Sequence, residues 1–270
     1  MAFVETGSSR IHYSQTGSGP AVILVQGVGV IGNGWRPQVD ALRDRYSLIT
    51  IDNRGIGGSG PADAPLTIED MAADVLAVAD AAQAARFHLV GHSMGGMIAQ
   101  QIALTARARV QSLALLCTFL KGRQGTMVAP SMLLTAVRSR VGTPAMRRRA
   151  FVELVMPRAY LSTVNRDALC SSLALLFGRD LSDSPPIVMR QLRAMGTFDA
   201  SHQLSSLAGL PTLVVSAAQD CIARPAYGQA LAAAIPGARY REFADAGHAV
   251  TIQQAEEIST LLAEHFSTRS

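Results

Sequence analysis

Short unbroken apolar runs alternate along the chain with longer stretches in which apolar residues recur every three or four positions. The runs "AVILVQG" (21–27), "SLITIDNRG" (47–55), "RFHLVG" (86–91), "VQSLALLCTF" (110–119), "PTLVVSAAQD" (211–220) and "ARYREFADAGH" (238–248) read as strands. Continuous apolar character, rather than strict alternation, is what a parallel strand covered on both faces requires. Between them, "WRPQVDALRDRY" (35–46), "TIEDMAADVLAVADAAQ" (67–83), "MGGMIAQQIALTA" (94–106), "YGQALAAAI" (227–235) and "AEEISTLLAEHF" (255–266) carry the helical period. Thr67 followed by Asp70 predicts a capping-box variant at the start of the second helix.

Strand and helix in alternation mean an α/β fold, a doubly wound and mostly parallel sheet with helices on both faces. The rhythm lapses once. Residues 121–206 hold no clean strand run, but many Met, Leu and Arg at helical spacing, broken by Pro130, Pro144, Pro157 and Pro185-Pro186. The expected organisation is therefore a core built from residues 1–120 and 207–270, with a helical insertion, 121–206, after the strand that follows the 94–106 helix.

Composition narrows the function classes. At 270 residues, about half of them hydrophobic and only 16% charged, the chain suits a well-buried core rather than disorder. No apolar stretch approaches the ~18 residues of a bilayer span, and the first residues lack the features of a secretory signal. Cys117, Cys170 and Cys221 are odd in number and far apart, which fits neither a disulfide framework nor a zinc site. The expectation is a cytoplasmic protein with no membrane partner. The net charge is +4 and the pI near 9.3, yet the arginines are scattered and no nucleic-acid-binding motif accompanies them. The one dense run, Arg147-Arg148-Arg149 with Arg138 and Arg140 before it, reads as a solvated helix face; an entrance that attracts anions is the alternative.

Candidate chemistry begins at Gly91-His92-Ser93-Met94-Gly95, a G-x-S-x-G motif with a strand before it and a helix after it. A strand that reverses directly into a helix crowds its turn, so the flanking positions must lack a Cβ. Gly96 then lets the helix pack close. The turn lifts the Ser93 hydroxyl above the sheet at a helix N-terminus, where backbone N–H groups favour negative charge. A serine needs a base to act as a nucleophile. In a doubly wound sheet the crevice lies at the carboxyl ends of strands, and two polar residues directly follow strand runs. His248 is the candidate base, and Asp220 the candidate carboxylate that orients it. His12, His88 and His265 read as structural, His92 as packing beside the site, and His202 as uninvolved. Asp245 and Asp199 are the lesser acid candidates. Stabilising a developing oxyanion takes backbone donors: Met94 N–H by position, and Val28 N–H from the loop "VQGVGVIGNGW". That loop does not continue as GxGxxG, which disfavours a dinucleotide site.

Together these residues resemble the α/β-hydrolase fold superfamily, in its branch of small serine esterases, lactonases, C–C hydrolases and cofactor-free perhydrolases. The resemblance rests on "QGVG", "DNRGIGGS" (52–59), "GHSMGG", "QD" (219–220) and "AGH" (246–248), and it covers nearly all the chain outside the insertion. The order Ser93, Asp220, His248 is that family's order. The family usually has His-Gly where this chain has Gln26-Gly27, which bears on the oxyanion loop and not on the base. Dehalogenases and epoxide hydrolases of the fold carry aspartate where Ser93 stands and are disfavoured. The resemblance implies that residues 121–206 form a cap and that substrate choice resides there. Gln26, Met127, Met132 and Met156 are the pocket candidates.

The expected activity is cleavage of a carboxylic ester or lactone of a small, moderately lipophilic substrate through an acyl-enzyme at Ser93. Alternatives with the same three residues are hydrolysis of a C–C bond in a vinylogous diketone and perhydrolase chemistry; a non-catalytic ligand-binding protein is the alternative of another class. No metal or cofactor is expected. The oligomeric state is left open, with a homodimer as one option.

Overall fold

The computed structural model describes residues 2–7, 9–61, 65–126 and 133–268. Its centre is an eight-stranded sheet in the order β1-β2-β4-β3-β5-β6-β7-β8. The strands are β1 (Ala2–Thr6), β2 (Ser9–Thr16), β3 (Ala21–Val25), β4 (Ser47–Ile51), β5 (Phe87–His92), β6 (Val110–Leu116), β7 (Thr212–Ala217) and β8 (Arg239–Phe243). From β4 through β8 every pairing is parallel; β1–β2 and β2–β4 are antiparallel. Every residue of β5 and β7 is buried, as strands covered on both faces must be.

Helices α1 (Arg36–Leu42) and α12 (Ala255–Phe266) pack together, as do α2 (Ile68–Ala81) and α3 (Met94–Thr105), and helices lie on both sides of the sheet. The expected capping box is present at α2: Asp70 N–H donates to Thr67 Oγ1 at 3.0 Å, and Thr67 N–H donates to the Asp70 carboxylate at 3.0 Å. The hairpin β1–β2 was not expected from the sequence. In β1, at the edge of the sheet, half-buried and exposed residues alternate, and in β2 the buried Ser9, Ile11 and Tyr13 alternate with more exposed polar residues, so β2 carries no continuous apolar run. The hairpin extends the sheet antiparallel beyond β4.

Between β6 and β7 the chain leaves the sheet and forms α4 (Gly122–Thr126), α5 (Leu133–Arg138), α6 (Pro144–Val155), α7 (Arg158–Thr163), α8 (Arg166–Phe177) and α9 (Pro186–Thr197). The two ends of this excursion are tied to each other. Gly122 N–H donates to Phe198 O at 2.8 Å, Ala200 N–H to Leu120 O at 3.0 Å, and Lys121 pairs with Asp199 at 3.3 Å. Residues Leu204–Leu207 already lie against α3, so the chain rejoins the sheet layer before residue 206. The excursion has a small core of its own, with Val152, Met156, Leu161, Cys170 and Leu173 buried together. Ion pairs Arg148–Asp180 and Arg166–Glu153 brace its outer side. Helix α10 (Pro225–Ala234) follows β7, and the short α11 (Val250–Gln253) follows β8.

Candidate active site

Ser93 sits between β5 and α3 with φ 55° and ψ −121°, a backbone conformation that a residue with a side chain adopts only under constraint. The surrounding glycines supply that constraint. A Cβ on Gly91 would lie 2.2 Å from Gly95 O, one on Gly95 would lie 2.1 Å from Val25 O, and one on Gly96 would lie 2.5 Å from Thr118. The three positions therefore pack the turn on itself, on the end of β3, and on the end of β6. Ser93 N–H donates to Leu116 O at 2.9 Å, and Thr118 Oγ1 donates to Ser93 O at 2.6 Å, which holds the strained residue from both sides.

Two loops at the carboxyl ends of β7 and β8 bring the other candidates to this serine. His248 Nε2 lies 3.0 Å from Ser93 Oγ, and His248 Nδ1 lies 2.7 Å from Asp220 Oδ2. The second oxygen of Asp220 accepts the N–H groups of Ile222 and Ala223, both at 2.8 Å. Burial works to raise the Asp220 pKa, but the facing His248 and these N–H donors outweigh it and hold the carboxyl below its usual range. Asp220 is thus an anion that fixes the proton of His248 on Nδ1 and leaves Nε2 free to accept from Ser93 Oγ.

His92 has a definite supporting position. Its Nε2 lies 2.8 Å from His248 O, and burial, with the nearby His248, lowers its pKa to about 3. A neutral imidazole bonded in this way donates from Nε2 to the carbonyl and anchors the backbone that carries His248. The remaining histidines lie elsewhere. His12 pairs with Asp52 at 2.9 Å, His88 with Ser112 at 2.8 Å, and His265 with Leu113 O at 3.0 Å. Asp199 serves the base of the excursion, opposite Lys121.

Asp52, the acid of the "DNRGIGGS" stretch, has an architectural position that the sequence left unstated. Its carboxylate accepts Gly32 N–H at 2.8 Å and Gly58 N–H at 2.9 Å, which ties the loop after β4 to the loop after β3. Asn53 Nδ2 then donates to Gln26 O at 3.0 Å. Gln26 is buried and bonds to its own neighbour, Gly27 N–H, at 3.3 Å. Gly27 lies against the nucleophile candidate: a Cβ there would come 3.0 Å from Ser93 Cβ. Val28, in the loop after β3, and Met94, directly after Ser93 at the start of α3, accordingly lie next to the serine. Met94 is the first residue of α3, where N–H groups have no partner within the helix.

Ser93 and His248 open into a cavity of about 270 Å³ lined also by Gln26, Gly27, Val28 and His92. The excursion supplies much of its wall, including Phe151, Leu154, Phe177 and Met195, and Arg140 and Arg179 contribute cationic groups. Of the expected pocket residues, Gln26 lines the cavity. Met156 does not: it is buried in the excursion's own core. Met127 and Met132 lie outside the described residues. Among the described residues, His92, Cys117 and His248 alone bring three possible metal-ligand atoms within 4.8 Å of one another. Both ring nitrogens of His248 are already engaged by Ser93 and Asp220, and burial beside Asp220 pushes the Cys117 thiol well above its ordinary value. The set suits hydrogen bonding better than a cation.

Residues 20–255 match the model of the alpha/beta hydrolase fold. The chain belongs to that family. It is 30% identical over 254 residues to RutD of Klebsiella pneumoniae, described as a carbamate hydrolase, covering 92% of this chain and 91% of that one. It is also 30% identical over 264 residues to BpoC of Mycobacterium tuberculosis, described as a non-heme bromoperoxidase, covering 96% and 98%. Among solved structures, the enol-lactonase of Burkholderia xenovorans LB400 superposes with a TM-score of 0.81 at 26% identity, over 99% of this chain and 100% of that one. Membership of this family supports hydrolase activity on a small molecule. Among the described residues no helix is long and apolar enough to cross a membrane.

Proposed function

We propose that the protein is a serine hydrolase that cleaves a carboxylic ester or lactone through an acyl-enzyme on Ser93. The observation that carries the reading is the unbroken hydrogen-bond chain from Ser93 Oγ through His248 to Asp220, at 3.0 and 2.7 Å, opening into one cavity. His248 Nε2 takes the Ser93 proton as Oγ attacks the substrate carbonyl, and returns it to the leaving alcohol. Asp220 keeps the ring oriented and stabilises the imidazolium. Val28 and Met94 N–H groups receive the oxyanion of the tetrahedral intermediate. Water, activated by the same histidine, then hydrolyses the acyl-enzyme.

The helical excursion between β6 and β7 acts as a cap that shapes the pocket. Phe151, Leu154, Phe177 and Met195 in its wall favour a moderately lipophilic acyl or lactone portion. A second reading, carbamates as substrates, draws support from the similarity to RutD across nine-tenths of both chains. Ser93 would attack a carbamate carbonyl by the same steps, so the two readings differ in the pocket and not in the machinery. The three cysteines are free, which fits a reducing compartment such as the cytoplasm.

The test is turnover of p-nitrophenyl acetate and butyrate, with Ser93→Ala as the control. Wild type is expected to release p-nitrophenol and the variant to lose nearly all of this activity. Equal rates in the two proteins would dismiss Ser93 as the nucleophile.

A further inference from the structure

Both backbone groups of Gly29, the residue after Val28, are held by side chains of the helical excursion. Gly29 N–H donates to Gln191 Oε1 at 2.9 Å, and Gly29 O accepts from Arg179 Nε at 3.0 Å. Gln191 lies on α9 and is fully buried; Arg179 follows the left-handed Gly178 that ends α8. Gly29 itself has φ +69°, and a Cβ there would meet Val188 and Arg179 at 3.1 and 3.2 Å. Both the conformation and the tight space thus call for glycine.

The two bonds restrain the peptide units on either side of Gly29, next to the Val28 amide. A peptide unit is planar, so each bond to Gly29 fixes one plane: Gln191 holds the Val28–Gly29 unit and Arg179 the Gly29–Val30 unit. On the other side, Asn53 holds the carbonyl of Gln26 from the sheet layer. The Gly27–Val28 unit, which carries the Val28 N–H, lies between these anchored points.

Neither partner is explained by packing alone. Gln191 Nε2 is buried with no hydrogen-bond partner. An apolar side chain in its place would avoid the cost of that buried donor, so the acceptor Oε1 is the useful end of the residue. Arg179 Nη1 donates to the carbonyls of Asp180 and Asp183 at 3.3 and 2.6 Å, which steadies the guanidinium while Nε faces Gly29.

We propose that Gln191 and Arg179 are positioning residues that aim the Val28 N–H, so that the oxyanion site is complete only while the α8–α9 region is seated on the β3 loop. The proposal rests on the serine hydrolase reading and deepens it. The insertion then does more than shape the pocket: it assembles half of the oxyanion-binding pair. Neither residue touches the reacting atoms.

Gln191→Met keeps the volume and removes the acceptor, while Gln191→Glu keeps an acceptor for the Gly29 N–H. Wild type and both variants are assayed on p-nitrophenyl acetate and titrated with an aryl trifluoromethyl ketone, whose hemiketal oxyanion mimics the intermediate. In Q191M kcat falls about 10- to 100-fold with KM within about twofold, and the ketone Ki rises by a matching factor. Q191E recovers most of the loss in both. A Q191M enzyme with wild-type kcat, a loss confined to KM, or a fall in kcat without weaker ketone binding overturns the clamp. If Q191M is recovered unfolded, Arg179→Met, which removes the Gly29 O bond, carries the same expectation and the same refutation. A wild type that neither turns over ester nor binds the ketone overturns the hydrolase reading and the clamp with it. An active, ketone-sensitive wild type beside an unaffected Q191M or R179M overturns the clamp alone.

Discussion

Acidification should destabilise this protein well before its carboxylates titrate, because three histidines are buried in the neutral state. His92 is held at about 3, and His88 and His265 at about 4, in each case chiefly by burial. His88 lies between Tyr46 and Phe266, and His265 donates to Leu113 O from within the core. All three folded-state values lie below the ordinary value of 6.5, so the unfolded chain binds more protons throughout the interval between. Stability is therefore full above about pH 6.5, falls as pH drops through the window, and levels off only below the folded values. Between pH 7.5 and 5, His92 alone accounts for about 2 kcal/mol by linkage, and the other two act in the same direction. Asp220 does not interfere, since its carboxyl is depressed and loses its contribution only at lower pH. The assay is urea denaturation at matched ionic strength at the two pH values, with the m-value required to stay constant. Thermal midpoints should fall by about 5 °C or more over the same interval. His92→Gln, which keeps a donor for His248 O, should flatten the dependence by about the His92 share. A stability that is level or rises from pH 7.5 to 5 would refute the assignment of neutral buried histidines.

The remaining predictions concern the serine and its turn. Asp220→Asn should preserve the fold but lower kcat by about 10⁴, since the amide no longer selects the His248 tautomer; activity within tenfold of wild type would point to another acid. Gly95→Ala places a methyl 2.1 Å from Val25 O, a backbone atom that cannot swing aside. It should destabilise the protein by several kcal/mol or prevent folding, as read by urea midpoint and soluble yield, and a wild-type midpoint would contradict the tight approach of turn and sheet.

Much of this architecture is legible in the sequence because its causes are local. A parallel strand buried on both faces demands an apolar run, and a turn with no space for a Cβ demands glycine at named positions; both leave marks that single stretches carry. Ser93, Asp220 and His248 are readable as strand-end residues, and the structure brings Ser93 and Asp220 each within hydrogen-bond reach of His248. The hairpin β1–β2 escaped because an edge pair needs only one covered face, and "AFVET" carries a mixed pattern with no apolar run. Met156 shows a different limit. An apolar residue at helical spacing looks the same whether it faces a cavity or packs inside its own helical cluster, and only the tertiary arrangement separates the two. The clamp of Gln191 and Arg179 on Gly29 was invisible for a related reason. It joins residues 162 and 150 positions apart through the backbone N–H and C=O of one glycine, and no local pattern announces such bonds. Asp52 belongs in the same class: its motif was readable, but its grip on Gly32 and Gly58 was not.

The proposed mechanism makes Ser93 the residue that is acylated during turnover. Rapid mixing with a p-nitrophenyl ester, acid quench and intact mass measurement, followed by peptide mapping, examines it directly. A transient adduct of one acyl group is expected on the peptide that contains Ser93, formed together with a burst of p-nitrophenol and absent from Ser93→Ala. Steady release of p-nitrophenol with no adduct at any quench time, or an adduct on another residue, would contradict this mechanism.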